Sequence, residues 1–278
     1  MRIALKIDVP TEAGATTGVP RLLALFERYQ VTATFFFAME FGGGRGLMRK
    51  AAALFGKGFS PAMSLEEALA ATAEAGHEIG LLGNEAGLWR RQAAFADADW
   101  TRHQLALGME RFEQLTGHAP DRFAAPYWQP NAHLLGMEER RRFSFASDVR
   151  GKYPFYPQLH NIVSRCPQIP TTLPTLHEML AQPEVTPANV HEHLYAESLH
   201  LLPHGHVYSA DAAEEGIDYL EVMEKLIVMW KGQEGTLRTL GEVRAELDLD
   251  ALPVHQIGWT EVPGRQEHVA AQSLRVDA

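Results

Sequence analysis

The chain has 278 residues, of which 46% are hydrophobic, and carries a formal net charge of −10. This excludes global disorder, leaves room for one large barrel or two smaller domains, and argues against nucleic acid as the main partner, because phosphate neutralisation needs a basic face. Its one cysteine, Cys166, excludes an intrachain disulfide and fits a reducing compartment.

In chain order, Met1 leads directly into a strand pattern, RIALKIDV (Arg2–Val9), with no basic and apolar leader in front of it. No apolar run is long enough to span a bilayer, so a cytoplasmic protein is expected. The stripe Val19, Leu22, Leu23 and Phe26 predicts a helix over Gly18–Tyr29, and Ala33–Met39 reads as the second strand. Phe41–Met63 breaks the alternation. It is Gly-rich, holds Arg45, Arg49, Lys50 and Lys57 with no acid, and interleaves Leu47, Met48, Leu54, Phe55 and Phe59. Such a segment suits an anionic membrane surface, or a lid over a site mouth.

SLEE (Ser64–Glu67) is a capping box that opens a helix to Ala75. A strand over His77–Leu82 follows. Then comes a helix over Asp99–Thr116, with Leu105, Met109, Phe112 and Leu115 on one face and Gly117 as its stop. Arg122–Tyr127, Ser144–Asp148 and Gln168–Thr172 read as strands. Thr186–Leu202 reads as a helix with Thr186 as N-cap and Pro187 in the first turn. The strand His206–Ala210, the helix Gly216–Lys231 and the strand Thr236–Leu240 complete the pattern. Alternating strands and helices predict parallel β-structure with helical crossovers. Seven or eight repeats point to a closed or nearly closed α/β barrel, with a doubly wound sheet as runner-up. Neither GxGxxG after the first strand nor GxxxxGK[ST] occurs, so a nucleotide fold gets little support. The chain reads as a single domain, 1–278, with an insertion around 41–63.

Six stretches carry a family resemblance. They are RIALKIDVPTEAGATTGVPRLLALFERYQVTATFFF, GHEIGLL, FSFASDVRGKYPFYP, QIPTTLPTLHEML, HVYSADAAEEG and the tail LGEVRAELDLDALPVHQIGWTEVPGRQ. In order and over nearly the whole chain, they resemble the polysaccharide deacetylase (NodB-homology) superfamily. Within it they are most similar to the deformylases of undecaprenyl-phosphate formamido-arabinose, which serve lipid A modification. The resemblance implies a distorted seven-stranded β/α barrel and metal-assisted amide hydrolysis. In that chemistry a metal polarises the carbonyl and acidifies a bound water, a carboxylate takes the water's proton, and an acid protonates the leaving amine.

The same resemblance places Asp8 at the base position and Pro10 where a metal-binding aspartate stands. Leu82 and Ala86 fall on the two metal-binding histidines, and Asp211 on the acid histidine. Three ligand positions thus carry side chains that cannot coordinate, and no metal cofactor is expected. Read by themselves, Asp8, Asp211 and Glu85 make an acidic cluster at the barrel mouth. It could hold a hard cation, act as an acid/base pair, or consist of solvated loop acids. Arg150 and Asp148 in SDVRG match the family motif. A guanidinium there suits a phosphate or carboxylate, the plain alternative being an ion pair with Asp148 or another acid. Trp89 offers a face to a sugar, or simply packs. His191, His193, His200, His204 and His206 crowd one stretch without an evident third ligand at metal spacing, so zinc is not expected there. Cys166 has no base beside it in sequence and reads as an inert thiol.

The leading expectation is a homologue that binds a lipid- or phosphate-linked sugar with a degenerate metal site and impaired hydrolysis. Its further partners would be an anionic inner-membrane surface, met through 41–63, and an active homologue or a second copy of itself. The first alternative is an active hydrolase of a carbon–nitrogen amide bond in lipid A sugar metabolism, using a rearranged site. The second is an interaction protein that kept only the fold.

Overall fold

The computed structural model describes residues 1–42, 63–232 and 234–276. The basic and apolar stretch Arg45–Phe59, with its membrane or lid reading, lies outside the described residues. The strands are β1 (Arg2–Val9), β2 (Thr34–Phe37), β3 (Glu78–Leu81), β4 (Arg122–Phe123), β5 (Phe145–Ala146), β6 (Tyr156–Leu159), β7 (Ile162–Val163), β8 (His206–Asp211), β9 (Thr236–Arg238), β10 (Val254–Thr260) and β11 (Val269–Val276). One sheet is parallel, with the order β5-β4-β3-β2-β1-β8, and β9 joins the start of β1.

β1 shows why the sheet curls around an interior. Its odd positions, Ile3, Leu5, Ile7 and Val9, pack outward with Phe26, Leu226 and Ile227 of the helical layer. The even position Ala4 faces inward with Phe36, Leu82, Ile169 and Val207. Both faces are buried, which is why the strand reads as a near-continuous apolar run. By the same period of two, Lys6 and Asp8 share the inner face with Ala4.

The segment Gln168–Thr172, expected as a strand, forms only single bridges, yet it closes the gap between β5 and β8. Ile169 N–H donates to Ala146 O at 2.8 Å, and Thr172 N–H to Val207 O at 3.1 Å. The result is the distorted seven-stranded barrel expected from the resemblance. A second sheet, β11-β10-β6-β7, was not foreseen. It packs against the barrel through Val149, Phe155, Ile257 and Ala270.

The Ser64–Glu67 capping box is present, and the helix it opens covers Leu65–Glu74. The helix Ala98–Thr116 ends on Gly117 at φ 80°. The helix expected from Thr186 instead spans Val190–Ser198. Asn189 Oδ1 accepts from the Thr186 N–H (2.7 Å) and hydroxyl (3.0 Å), so Thr186–Asn189 is held as a separate turn. Among the described residues no helix is long and apolar enough to cross a membrane.

The turns after β1 and β8 pack on each other through glycine. A Cβ on Gly18 would stand 1.8 Å from the Ala212 carbonyl oxygen, and one on Gly216 would stand 2.7 Å from Gly18 Cα. Only glycine permits this approach. It locks together the two strand ends that carry Asp8 and Asp211.

Candidate active site

A cavity of about 260 Å³ opens where β1 and β8 end, lined among others by Asp8, Pro10, Leu82, Tyr127, Trp128 and Asp211. This is the C-terminal face of a β/α barrel, where loops carry the chemistry. Asp8 and Asp211 are register partners on neighbouring strands, and the Ala212 N–H donates to Asp8 O at 2.8 Å. The two acids predicted as catalytic are therefore side by side on one cavity wall.

Asp8 does not stand alone. Lys6, 1% exposed, holds its Nζ 3.3 Å from Asp8 Oδ2 and donates to Ser147 O at 3.0 Å. Ser209 Oγ donates to the same Asp8 oxygen at 3.2 Å. Asp8 Oδ1 is inaccessible and has no hydrogen-bond donor. Burial lowers the Lys6 pKa and raises that of Asp8, and their mutual attraction opposes both shifts.

Burial pushes the Asp211 pKa up to about 7, with the N–H groups of Ala213 and Glu214 opposing and the charges of Glu214 and Asp8 adding to it. Its Oδ1 accepts from Ala213 N–H at 2.7 Å, and its own N–H donates to Glu215 at 2.8 Å. Glu215 is itself raised well above the usual carboxylate range, chiefly by burial, and accepts from the Tyr208 hydroxyl at 2.8 Å.

Two aromatic side chains also line the cavity. Tyr127 and Trp128 follow β4 and both take left-handed backbone, at φ 57° and 55°. Two consecutive such residues cost roughly 1–3 kcal/mol each, strain of a kind that clusters at functional sites. Trp128 is ringed by cations: Lys6 at 5.3 Å, Arg150 at 4.9 Å and Arg265 at 4.5 Å from its ring. Arg90 lies 5.0 Å from the Tyr127 ring. Arg90, Arg265, His177 and Glu214 complete the rim.

None of the four residues predicted to bind substrate is among the residues lining the cavity, although Arg150 packs on the Trp128 ring that is. Arg150 is buried in an ion pair with Glu178 (3.0 Å), donates to Leu173 O, and does not line the cavity. Burial would raise the Glu178 pKa, but Arg150 and Arg265 hold it below its ordinary value. Asp148 is fully buried, accepting from Ala125 N–H and Gln168 Nε2, both at 2.6 Å. Trp89 is 1% exposed, donates to Gln129 O at 2.9 Å and packs on Trp100 and Phe123. Glu85 precedes the helix Ala86–Gln92, beside Arg91, and is not part of the cavity lining. Cys166 is buried, its thiol pKa pushed up chiefly by burial. The residues that do line the mouth, Tyr127, Trp128, Arg90 and Arg265, were missed. Pro126 was the available signal, because a proline inside the run RFAAPYW ends a strand rather than continuing it.

The side chains do not fit a divalent metal held as in the family. Pro10 and Leu82 line the cavity with carbon, and Ala86 is buried at the start of its helix. Asp8, the remaining acid of that set, already has a cation in Lys6. Among the described residues no three His, Cys, Asp or Glu side chains converge as a metal set.

No family model matches the chain. It is 28% identical over 302 residues to the probable 4-deoxy-4-formamido-L-arabinose-phosphoundecaprenol deformylase ArnD of Shewanella sediminis, covering 99% of this chain and 96% of that one. In structure it resembles a candidate polysaccharide deacetylase of Mycobacterium smegmatis, with TM-score 0.67, 18% identity and 94% of each chain covered. It also resembles a mutant of a pseudoenzyme with restored enzymatic activity, with TM-score 0.54, 13% identity, and 87% of this chain and 67% of that one covered. The resemblance read from the sequence holds on both counts: the fold is that of polysaccharide deacetylases, and curated relatives are formamido-arabinose deformylases.

Proposed function

We propose that this chain, similar throughout to formamido-arabinose deformylases, binds a lipid- or phosphate-linked sugar at its barrel mouth without metal-dependent hydrolysis. The observation that carries the reading is the substitution of the metal's surroundings by carbon side chains and an internal ammonium. Pro10 and Leu82 face the cavity, and Lys6 occupies Asp8. The cavity keeps what a sugar needs, aromatic side chains at Tyr127 and Trp128 together with carboxylates at Asp8 and Asp211. The curated relative's name supplies the sugar class and its prenyl phosphate. With such a ligand the protein would work beside a membrane surface, and the role we assign it is that of a partner or regulator of an active deformylase.

The test is calorimetric binding of a short-chain prenyl-phosphate formamido-pentose, with amine release measured with and without added zinc or cobalt. Binding without metal-stimulated amine release is expected. Metal-dependent turnover by the unaltered protein would overturn the reading.

A second reading has its own observation. Asp211, near half-protonated at neutral pH, stands beside Asp8, so one carboxyl can donate a proton while the other accepts one. Water attack on an amide aided by this pair, with no metal, would appear as amine release that resists chelators and vanishes in Asp8→Asn.

A further inference from the structure

We propose that the ligand group seated against Asp211 and Glu214 is a protonated primary amine, so that the site selects a deacylated amino sugar over its N-acyl counterpart. The inference deepens the sugar-binding reading and rests on it.

The charges of the cavity are divided unevenly. Arg90 is held by Glu267 through two hydrogen bonds, at 3.0 and 2.8 Å. Arg265 is held by Glu178 at 2.5 Å, and Lys6 by Asp8 at 3.3 Å. Every cation of this region therefore already has a carboxylate. The reverse is not true. Asp211 is engaged by backbone N–H groups at one oxygen, and no lysine or arginine among the described residues pairs with it. Among the described residues, Glu214 pairs with His177 alone, at 3.5 Å. These acids border a real cavity with an aromatic wall, so they are a charged end of an existing site.

A half-buried negative end of this kind favours a ligand that brings its own cation. An ammonium offers three donors and no acceptor, and its bonds to carboxylates are charge-assisted. An N-formyl or N-acetyl amide offers a single neutral N–H and brings no charge to offset that of the acids. A hydroxyl lies between the two. The reaction class that supplies the preferred ligand is hydrolysis of an N-acyl sugar, so the protein would receive the product of the cleavage its relatives are named for.

The experiment uses the full chain and three soluble short-prenyl phosphopentoses that differ only at one ring position, carrying a free amine, an N-formyl amine or a hydroxyl. Calorimetry should show the amine binding at least about tenfold more tightly than the other two. Asp211→Asn keeps the acceptor for Ala213 N–H and removes the charge. It should lower amine affinity at least about tenfold and so erase the preference. The wild-type comparison stands by itself if that variant does not fold, and Glu214→Gln then supplies the charge test. Equal or tighter binding of the N-formyl or hydroxyl compound overturns the inference and leaves sugar binding standing. So does a preference that survives both substitutions. Failure of all three to bind overturns the sugar-binding reading itself.

Discussion

Lys6 Nζ stands 3.3 Å from Asp8 Oδ2, two residues along the same strand and on the same inner face of the barrel. With Lys6 1% exposed, this is a buried ion pair at the position where the family resemblance places a metal-assisted base. Its amine is a fixed part of the protein, independent of any metal supply.

Removing one partner of a buried pair leaves the other uncompensated, at a cost of about 3–5 kcal/mol. Lys6→Met should therefore destabilise the protein by roughly that amount at pH 8. The cost should shrink as pH falls, because burial raises the Asp8 pKa above its unfolded value and removal of Lys6 raises it further, so protonation relieves the uncompensated charge. Urea denaturation at pH 8 and at a lower pH checks this. An equal cost at both would mean that the lysine acts by packing alone. Lys6→Met with Asp8→Asn should recover much of the loss.

Asp211 gives a pH dependence opposite in sign to that of a salt-bridged carboxylate. Its folded pKa is about 7 against 3.8 for the free group, so between these values the folded state binds more proton than the unfolded state. Stability then falls as pH rises through that window, by roughly 4 kcal/mol at most at 1.36 kcal/mol per pK unit. Asp211→Asn should flatten the melting temperature between pH 4 and 7 and raise it at pH 8. A variant whose profile runs parallel to the wild type would show that Asp211 is not the group responsible.

β1 and its acid were legible because an apolar run ending in aspartate has few other readings, and the Ser64–Glu67 box announced its helix through a purely local pattern. Lys6 was legible in principle, since it shares Asp8's parity in the strand. It was overlooked because a lysine in an apolar run suggests solvent. The second sheet escaped notice because β11, VAAQSLRV, exposes much of its length and carries no strict alternation. The acid that partners Arg150 was not legible for a different reason. A motif gives the residue's position, while Glu178, which claims its guanidinium, sits 28 residues away.

Arg150 and Arg265 share Glu178, yet only Arg265 lines the cavity. Arg150→Ala leaves Glu178 paired with Arg265 but strips the buried Leu173 carbonyl of its donor, so it should cost about 1–3 kcal/mol of stability, with sugar-phosphate affinity changed less than threefold or so in the folded fraction. Arg265→Ala leaves Glu178 paired with Arg150, so stability should fall less while affinity drops about tenfold or more. Thermal melts and calorimetry on both variants decide the matter. An Arg150 variant that folds normally but loses binding would return that residue to the site.

The metal positions can be tested by rebuilding them. Pro10→Asp, Leu82→His and Ala86→His together should create a site for one divalent ion, because strand ends on a packed barrel fix ligand directions. Leu82 already faces the cavity, and histidine is close to leucine in volume. Ala86 is 1% exposed, so its enlargement should cost about 1–3 kcal/mol in overpacking. Two effects weaken the ion's hold. Lys6 places a positive charge beside Asp8, and nothing has selected partners to orient new histidines, a loss worth roughly 10–100-fold. Proton donation is less impaired than the missing acid histidine suggests, since Asp211 is about half protonated near neutrality. Adding Asp211→His should then raise amine release by less than the 10²–10⁴-fold range of a general acid gained outright. Metal titration followed by circular dichroism and amine-release assays reads all of this. A folded triple variant that binds no zinc or cobalt would mean that Pro10, Leu82 and Ala86 do not mark the metal site of this barrel.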